Sequence, residues 1–237
     1  MFRFLKGQFW LNHPDHKIVL ALGAGVGLAA EALTVFMTLY TREPYTVLLS
    51  SGVTLILGLF FLTLVFAGHF FIEFDIGLSM GATRRRMLAA GLFNCLCLEG
   101  VLLAVTAALR ALEWAVYVGW LQKSLPGLLP AVDFLGVLLG LPLWGKLLLL
   151  AGPIFLGFVG GVLIQRFGRR GFWVLWGAFM LGFVLPSNAL SWDTELLHTA
   201  AGLAGLLGML GWIGAAGAAA LGGWAVWLAL HANVRSE

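Results

Sequence analysis

Few side chains in this chain are of a kind that does chemistry, and the most conspicuous of them lie where water is scarce. Glu31 and Glu99 each interrupt a long apolar run. A carboxylate in hydrocarbon is costly unless it faces other protein groups or a water-filled cavity, so both are candidates for lining a translocation path. The competing reading of each is a protonated or hydrogen-bonded structural carboxyl. The five histidines are scattered toward segment ends and loops, and there is neither a His-Glu-x-x-His nor a Glu-Glu pair. No hydrolytic metal centre is therefore indicated, and no catalytic residue is expected. Cys95 and Cys97 are the two cysteines. Two residues apart on a helix, they point about 200° away from each other, which suits neither a disulfide nor a metal clip. Gly140 to Lys146 nearly matches the G-x-x-x-x-G-K phosphate loop, but Leu147 replaces the Ser or Thr that would meet magnesium and no strand precedes it, so the match is fortuitous.

The elements that must position these groups are membrane helices. Of the 237 residues, 61% are hydrophobic and 11% are charged, where a soluble domain carries about a quarter charged. Apolar runs fall at residues 18–40, 46–71, 87–120, 143–165, 171–186 and 199–231, and a span needs about 20 residues. The expectation is an all-α polytopic membrane protein with six transmembrane helices, forming one transmembrane domain over residues 1–237. The third and sixth runs are long enough to tilt, kink or protrude; splitting the sixth at Gly222-Gly223 would add a span. Residues 1–17 lack the short apolar core and cleavage site of a signal peptide and suit mature protein with an N-terminal interfacial helix. Ser124 to Pro142, broken by Pro126, Pro130 and Pro142, suits a short surface helix or a re-entrant piece.

Basic residues are retained on the cytoplasmic side. With both termini cytoplasmic, that side holds Arg3, Lys6, Lys17, Arg84, Arg85, Arg86, Arg166, Arg169, Arg170 and Arg235 of the 14 Lys and Arg. Arg110 and Glu113, three apart, suit a local ion pair. An aromatic belt agrees with this layout: Tyr40, Trp114, Tyr117 and Trp120 fall near outer ends, and Trp173, Trp224 and Trp227 near inner ones. The net charge of +3 then faces the anionic leaflet of the lipid bilayer, and no nucleic-acid partner is needed to explain it.

Between the second and third runs stands the most informative stretch, Glu73-Phe74-Asp75-Ile76-Gly77-Leu78-Ser79-Met80-Gly81-Ala82-Thr83-Arg84-Arg85. A connection that only turns the chain would be short and polar. This one, over residues 72–86, keeps apolar side chains among charges, which suggests a docking surface. Phe71, Phe74 and Leu78 share a helical face, while the alternation from Ile72 to Met80 equally suits a strand. An interfacial segment lying on lipid is the plainer alternative.

Leu78-Ser79-Met80-Gly81-Ala82-Thr83-Arg84-Arg85, between the second and third of six spans, resembles the Leu-Ser-x-Gly-x-x-Arg-Lys/Arg segment of small bacterial ABC transporter permeases of the ABC-2 (exporter) class. The resemblance implies that residues 73–85 belong to a coupling helix docked in the groove of a separate ATPase subunit, which binds ATP and magnesium. It further implies two permeases, as two copies or as a copy and a paralogue, paired with two ATPases in the bacterial cytoplasmic membrane. The cargo would be a hydrophobic or amphipathic compound, such as a peptide, and this chain would hold no cofactor. Gln165 to Gly171 is too short for a second docking helix, so one docking element per permease is implied. Two other classes stay open: a non-transporting scaffold or sensor that docks a cytosolic partner through the same stretch, and an intramembrane enzyme.

Overall fold

A computed structural model describes residues 13–41, 45–173, 177 and 220–230, and these are mainly helical. The described elements are α1 (His13–Thr41), β1 (Tyr45–Leu48), α2 (Ser50–Gly68), a π-helical turn (His69–Glu73) and α3 (Phe74–Ser79). They continue with α4 (Arg84–Val116), a second π-helical turn (Tyr117–Leu121), α5 (Gln122–Ser124), β2 (Leu129–Asp133), α6 (Phe134–Leu139) and α7 (Leu143–Phe167). Four stretches are long and apolar enough to cross a membrane: Asp15–Thr41, Ser50–Ser79, Arg84–Ser124 and Gly145–Phe167. They match the first four apolar runs. The fifth and sixth expected spans fall largely outside the described residues, although Ala220–Leu230 form a shorter apolar helix. Residues 1–12 of the expected interfacial helix also lie outside; residues 13–17 belong to the start of α1, with Pro14 in the first turn, where its missing N–H is no loss.

Burial explains why these helices need a membrane. Ile18, Leu22, Leu28, Leu33 and Phe36 of α1 are all exposed, as are Leu57, Phe61 and Leu64 of α2. Faces of that size and polarity are stable against hydrocarbon and not against water. The helix is also the form that satisfies every backbone group internally in such a medium. Pro153 sits inside α7, where it deletes one backbone hydrogen bond and favours a bend. Arg84–Ser124 has 41 residues, about 60 Å of helix, about twice the thickness of bilayer hydrocarbon.

The chain divides into two compact units, residues 1–66 with 86–157 and residues 67–85 with 158–237. In the first unit, α1, α2 and α4 approach through glycines. A Cβ at Gly27 would stand 2.7 Å from Thr54 Oγ1 and would overlap Leu109, and one at Gly23 would touch Val105 at 3.4 Å. Four residues forward along α1, from Gly23 to Gly27, match four forward along α4, from Val105 to Leu109, so these helices run parallel. The Gly23-x-x-x-Gly27 motif therefore serves packing within the chain. Below it, Leu55, Leu59, Leu62, Leu98 and Leu102 are buried.

Beyond the ends of these helices, the all-α expectation gives way to a small parallel strand pair. Tyr45 pairs with Leu129, Thr46 with Pro130, Val47 with Val132 and Leu48 with Asp133, so Ala131 is an extra residue. Pro130 lacks an N–H and is tolerated in a strand of this kind because each strand here is an edge. The stretch expected as a surface helix or re-entrant piece thus becomes a turn, a strand and the six-residue α6. Its turn is Leu125-Pro126-Gly127-Leu128, closed by Leu128 N–H to the Leu125 carbonyl at 3.2 Å, with Gly127 at φ +92°. Proline second and a positive-φ glycine third are what a type II turn demands. Tyr117, expected in the aromatic belt, turns inward: it is buried with Leu48, Leu121 and Leu128 and donates its hydroxyl to the Leu128 carbonyl at 3.0 Å. Trp114 and Trp120 stay exposed.

In the second unit, Gly161 of α7 lets the backbone of residue 67 and the Phe70 side chain come within 2.7 Å of where a Cβ would be. Phe70 and Phe158 meet edge-on at 4.9 Å. Gly157-x-x-x-Gly161 thus puts at least Gly161 to use in packing against the π-helical turn. Arg84 donates to the Leu230 carbonyl at 2.6 Å, which ties the start of α4 to the end of the helix at 220–230.

Close approach at glycine yields a direct test. A Cβ at Gly58 would lie 2.8 Å from Leu102 Cδ2, whereas one at Gly25 meets nothing within 4 Å. Gly58→Val should lose about 1–3 kcal/mol by overpacking, and Gly25→Ala should be neutral or stabilising. Thermal unfolding in detergent, followed by tryptophan fluorescence, distinguishes them; equal midpoints would contradict the α2–α4 approach.

Candidate functional site

Residues 69–86 are no loop. The backbone of α2 runs on through the π-helical turn into α3, and the turn that follows occupies only residues 80–83. This decides between the two local readings in favour of helix. α3 ends in a well-formed stop: Gly81 takes φ +84°, its N–H bonds the Leu78 carbonyl at 3.0 Å, and the Ala82 N–H bonds the Gly77 carbonyl at 2.9 Å. That pair of bonds is the Schellman pattern, which places glycine at the left-handed position. Part of the Leu-Ser-x-Gly likeness therefore has a local structural cause.

The segment's side chains separate by face. Phe74 is buried, while Ile76 and Met80 are exposed, Met80 at 81%. Glu73 pairs with the buried His69. Ser79 donates to the Ile76 carbonyl at 2.7 Å, Thr83 and Arg85 are exposed, and Gly77, Leu78, Ala82 and Arg84 are half-buried. Asp75 lies within α3. Three arginines, Arg84, Arg85 and Arg86, open α4 with no acidic residue in that turn. Cations at a helix N-terminus oppose the helix dipole, typically by about 0.3–1 kcal/mol each; Arg84 finds the Leu230 carbonyl, while Arg85 and Arg86 stay exposed.

Gly77-Leu78-Ser79-Met80-Gly81 also has the form Gly-x-Ser-x-Gly, a pattern easily passed over within the longer motif. A nucleophile elbow needs a strand entering and a helix leaving. Here a helix enters and stops, and the Ser79 hydroxyl is bound to its own helix.

Glu31 and Glu99 are both buried within their helices, at 8% and 5% exposure. The fold does not bring them together. Glu99 stands 14 residues from Glu113 along α4, about 21 Å, whereas Glu31 lies beside Ser50 and within electrostatic range of Glu113. Neither lines the apolar cleft of about 280 Å³ formed by Ile18, Leu22, Gly23, Val26, Leu57, Phe61 and neighbours, where Thr54 is the one polar residue.

The most developed polar constellation was only half legible. Arg110 and Glu113 form the expected ion pair at 3.3 Å, but Glu113 does much more. It is fully buried, accepts the Ser50 N–H at 2.8 Å on Oε1, and accepts the Ser51 hydroxyl at 2.6 Å on Oε2. A carboxylate is thereby seated on the N-terminus of α2, where free N–H groups and the dipole favour an anion. Arg110 continues to Asp133, whose other oxygen caps α6 by accepting the Gly136 N–H at 2.8 Å. Arg110 also lies 5.2 Å from the Trp114 ring, a cation–π distance. Asp133, Ser50 and Ser51 carry no sequence signal that joins them to Glu113, since they come from two other elements, β2 and α2.

No family model, curated protein or solved structure matches the chain.

Glu113→Ala would orphan the Ser50 N–H and leave Arg110 short of a partner. The expected loss is about 3–5 kcal/mol, as for breaking a buried pair from one side, read as a lowered unfolding midpoint in detergent. Adding Arg110→Met should restore part of it; strictly additive losses would show that the two do not act as a unit.

Proposed function

We propose that this chain is the membrane-spanning subunit of an ATP-driven exporter of the ABC class. In this reading, a separate ATPase subunit docks on residues 72–86 and carries the ATP and magnesium. Two permease copies, or one and a paralogue, join two ATPases in the bacterial cytoplasmic membrane, with both termini of each permease cytoplasmic and six spans per chain. The chain itself supplies no catalytic residue.

The observation that carries the reading is the helical extension of α2 past the apolar run, which exposes Ile76 and Met80 beside Arg85 and Arg86. An apolar knob next to cations that already oppose a helix dipole suits a partner groove with an apolar floor and acidic rim. Because the backbone of α2 continues into α3, movement of the docking segment would act directly on the chain that leads into the second span. The apolar cleft between α1 and α2 supports a hydrophobic or amphipathic cargo, since an occupant there needs no charged partner and can enter from the lipid side. Glu31 and Glu99 remain the candidate polar groups of the route. The alternatives are a scaffold or sensor docking through the same segment and, with less to support it, an intramembrane enzyme.

The test is to purify the chain from a bacterial membrane in mild detergent and ask whether a cytosolic ATPase co-elutes in equal amount. Met80→Asp with Arg85→Glu changes only exposed side chains, so the spans should fold, while ATPase retention and substrate-stimulated ATP hydrolysis should fall. Unchanged retention and transport would sink the docking assignment; retention without transport of any amphipathic probe would favour the scaffold.

A further inference from the structure

We propose that the first unit binds a single sodium ion between Glu31, Ser50 and Thr54, beside the Glu113 network. The site stands independently of the export reading. Its first support is a set of orphaned oxygens. Glu31 Oε2, Ser50 Oγ and Thr54 Oγ1 are all buried without a well-formed hydrogen bond, and Ser50 and Thr54 are at most 1% exposed. The Ser50 hydroxyl lies within hydrogen-bonding reach of the Glu31 carboxyl, but that contact does not complete the coordination of these buried oxygens and leaves Thr54 Oγ1 without a partner, which points to a missing one.

The second support is a choice of hydroxyl direction. Thr34, Thr38, Thr41 and Thr63 each donate to the carbonyl four residues back in their helix. Thr54 forgoes that bond and keeps its oxygen in the interior, 2.7 Å from the point where Gly27 would carry a Cβ. Gly27 and Glu31 are one turn apart on α1, and Thr54 and Ser50 are one turn apart on α2. Because the Ser50 hydroxyl is within hydrogen-bonding reach of Glu31, the three residues share one stretch of the α1–α2 seam, within a helical turn of one another. The glycine is what leaves room there.

Charge fixes the kind of occupant. From α4, Glu113 and Arg110 face this end of the unit; from the strand pair and α6, Asp133 does. Arg110 is shared between Glu113 and Asp133, so one guanidinium already serves two carboxylates before Glu31 is counted. An additional buried carboxylate needs either a proton or a positive charge. Both oxygens of Glu113 are taken by Ser50, Ser51 and Arg110. Within this network that leaves Glu31, engaged only by the Ser50 hydroxyl, as the carboxylate available to ligate together with two neutral hydroxyls: a hard oxygen set of single charge, which suits a monovalent ion over calcium or magnesium, whose sites gather more carboxylates or waters.

The experiment is thermal unfolding of the full chain in lipid nanodiscs, followed by tryptophan fluorescence, with sodium chloride exchanged for choline chloride at constant ionic strength. The expected result is a saturable, sodium-specific rise in midpoint. Apparent sodium affinity should fall about tenfold or more in Glu31→Gln and in the near-isosteric Thr54→Val. It should be kept in Thr63→Val, whose hydroxyl is bound to its own helix. A folded wild type with the same midpoint in both salts would overturn the proposal, as would a sodium shift that persists in both Glu31→Gln and Thr54→Val. A midpoint that responds to acid through Glu31 but not to sodium would assign the position to a proton instead.

Discussion

A single carboxylate organises one end of the first unit. Glu113 is withdrawn from solvent completely, and a charge in that position is tolerable only where its oxygens are fully engaged. The partners it finds are the N–H and hydroxyl that open α2 and the guanidinium one turn back on its own helix. The carboxylate thus acts as an N-terminal cap supplied by a different helix. It fixes where α2 begins, and through Arg110 and Asp133 it fixes where α6 begins. The strand pair lies between those two starting points: β1 ends at Leu48 beside Ser50, and β2 ends at Asp133. Even the Thr38 to Thr46 hydroxyl contact at 2.7 Å, which ties α1 to β1, belongs to this polar collar.

The second constraint is the apolar character of the outer helix faces. Large apolar side chains crowd the outside of α1 and α2, so burial inside the protein cannot be the force that orders them. In lipid there is little hydrophobic gain from bringing helices together, and close backbone approach takes its place. Gly23, Gly27 and Gly58 supply it in the first unit, and Gly161 supplies it in the second. The apolar cleft bounded by Gly23 and Gly58 follows from the same economy of side chains, because a seam lined by glycine is narrow at the backbone and open wherever larger residues diverge.

Residues 69–86 illustrate how a motif can carry two meanings. Gly81 is demanded by the backbone, which turns left-handed there to end α3. Arg84 is used within the fold, on the Leu230 carbonyl, but Met80, Ile76, Arg85 and Arg86 are exposed and not demanded by anything the helix needs, and the arginines work against its dipole. The docking proposal therefore rests on the exposed apolar side chains and the cations, and not on the glycine that makes the motif recognisable. Ser79 belongs with the glycine, since its hydroxyl closes onto the Ile76 carbonyl.

Composition and run length alone determined that the chain is helical and suited to a bilayer, because a 20-residue apolar stretch has almost no other stable form in hydrocarbon. They also located the first four spans, the inward carboxylates Glu31 and Glu99, the separation of Cys95 from Cys97 and the Arg110–Glu113 pair, all of which depend on neighbours along one helix. Tertiary structure alone decided the rest. It turned Tyr117 from the belt into the interior, converted Ser124–Pro142 into a turn, a strand and a short helix, and drew Ser50, Ser51 and Asp133 onto Glu113 and Arg110. The hydrogen-bonded partners among them are separated by as many as 63 residues, and no periodicity reports on such distances. A buried charge selects its partners only when the helices that carry them have met.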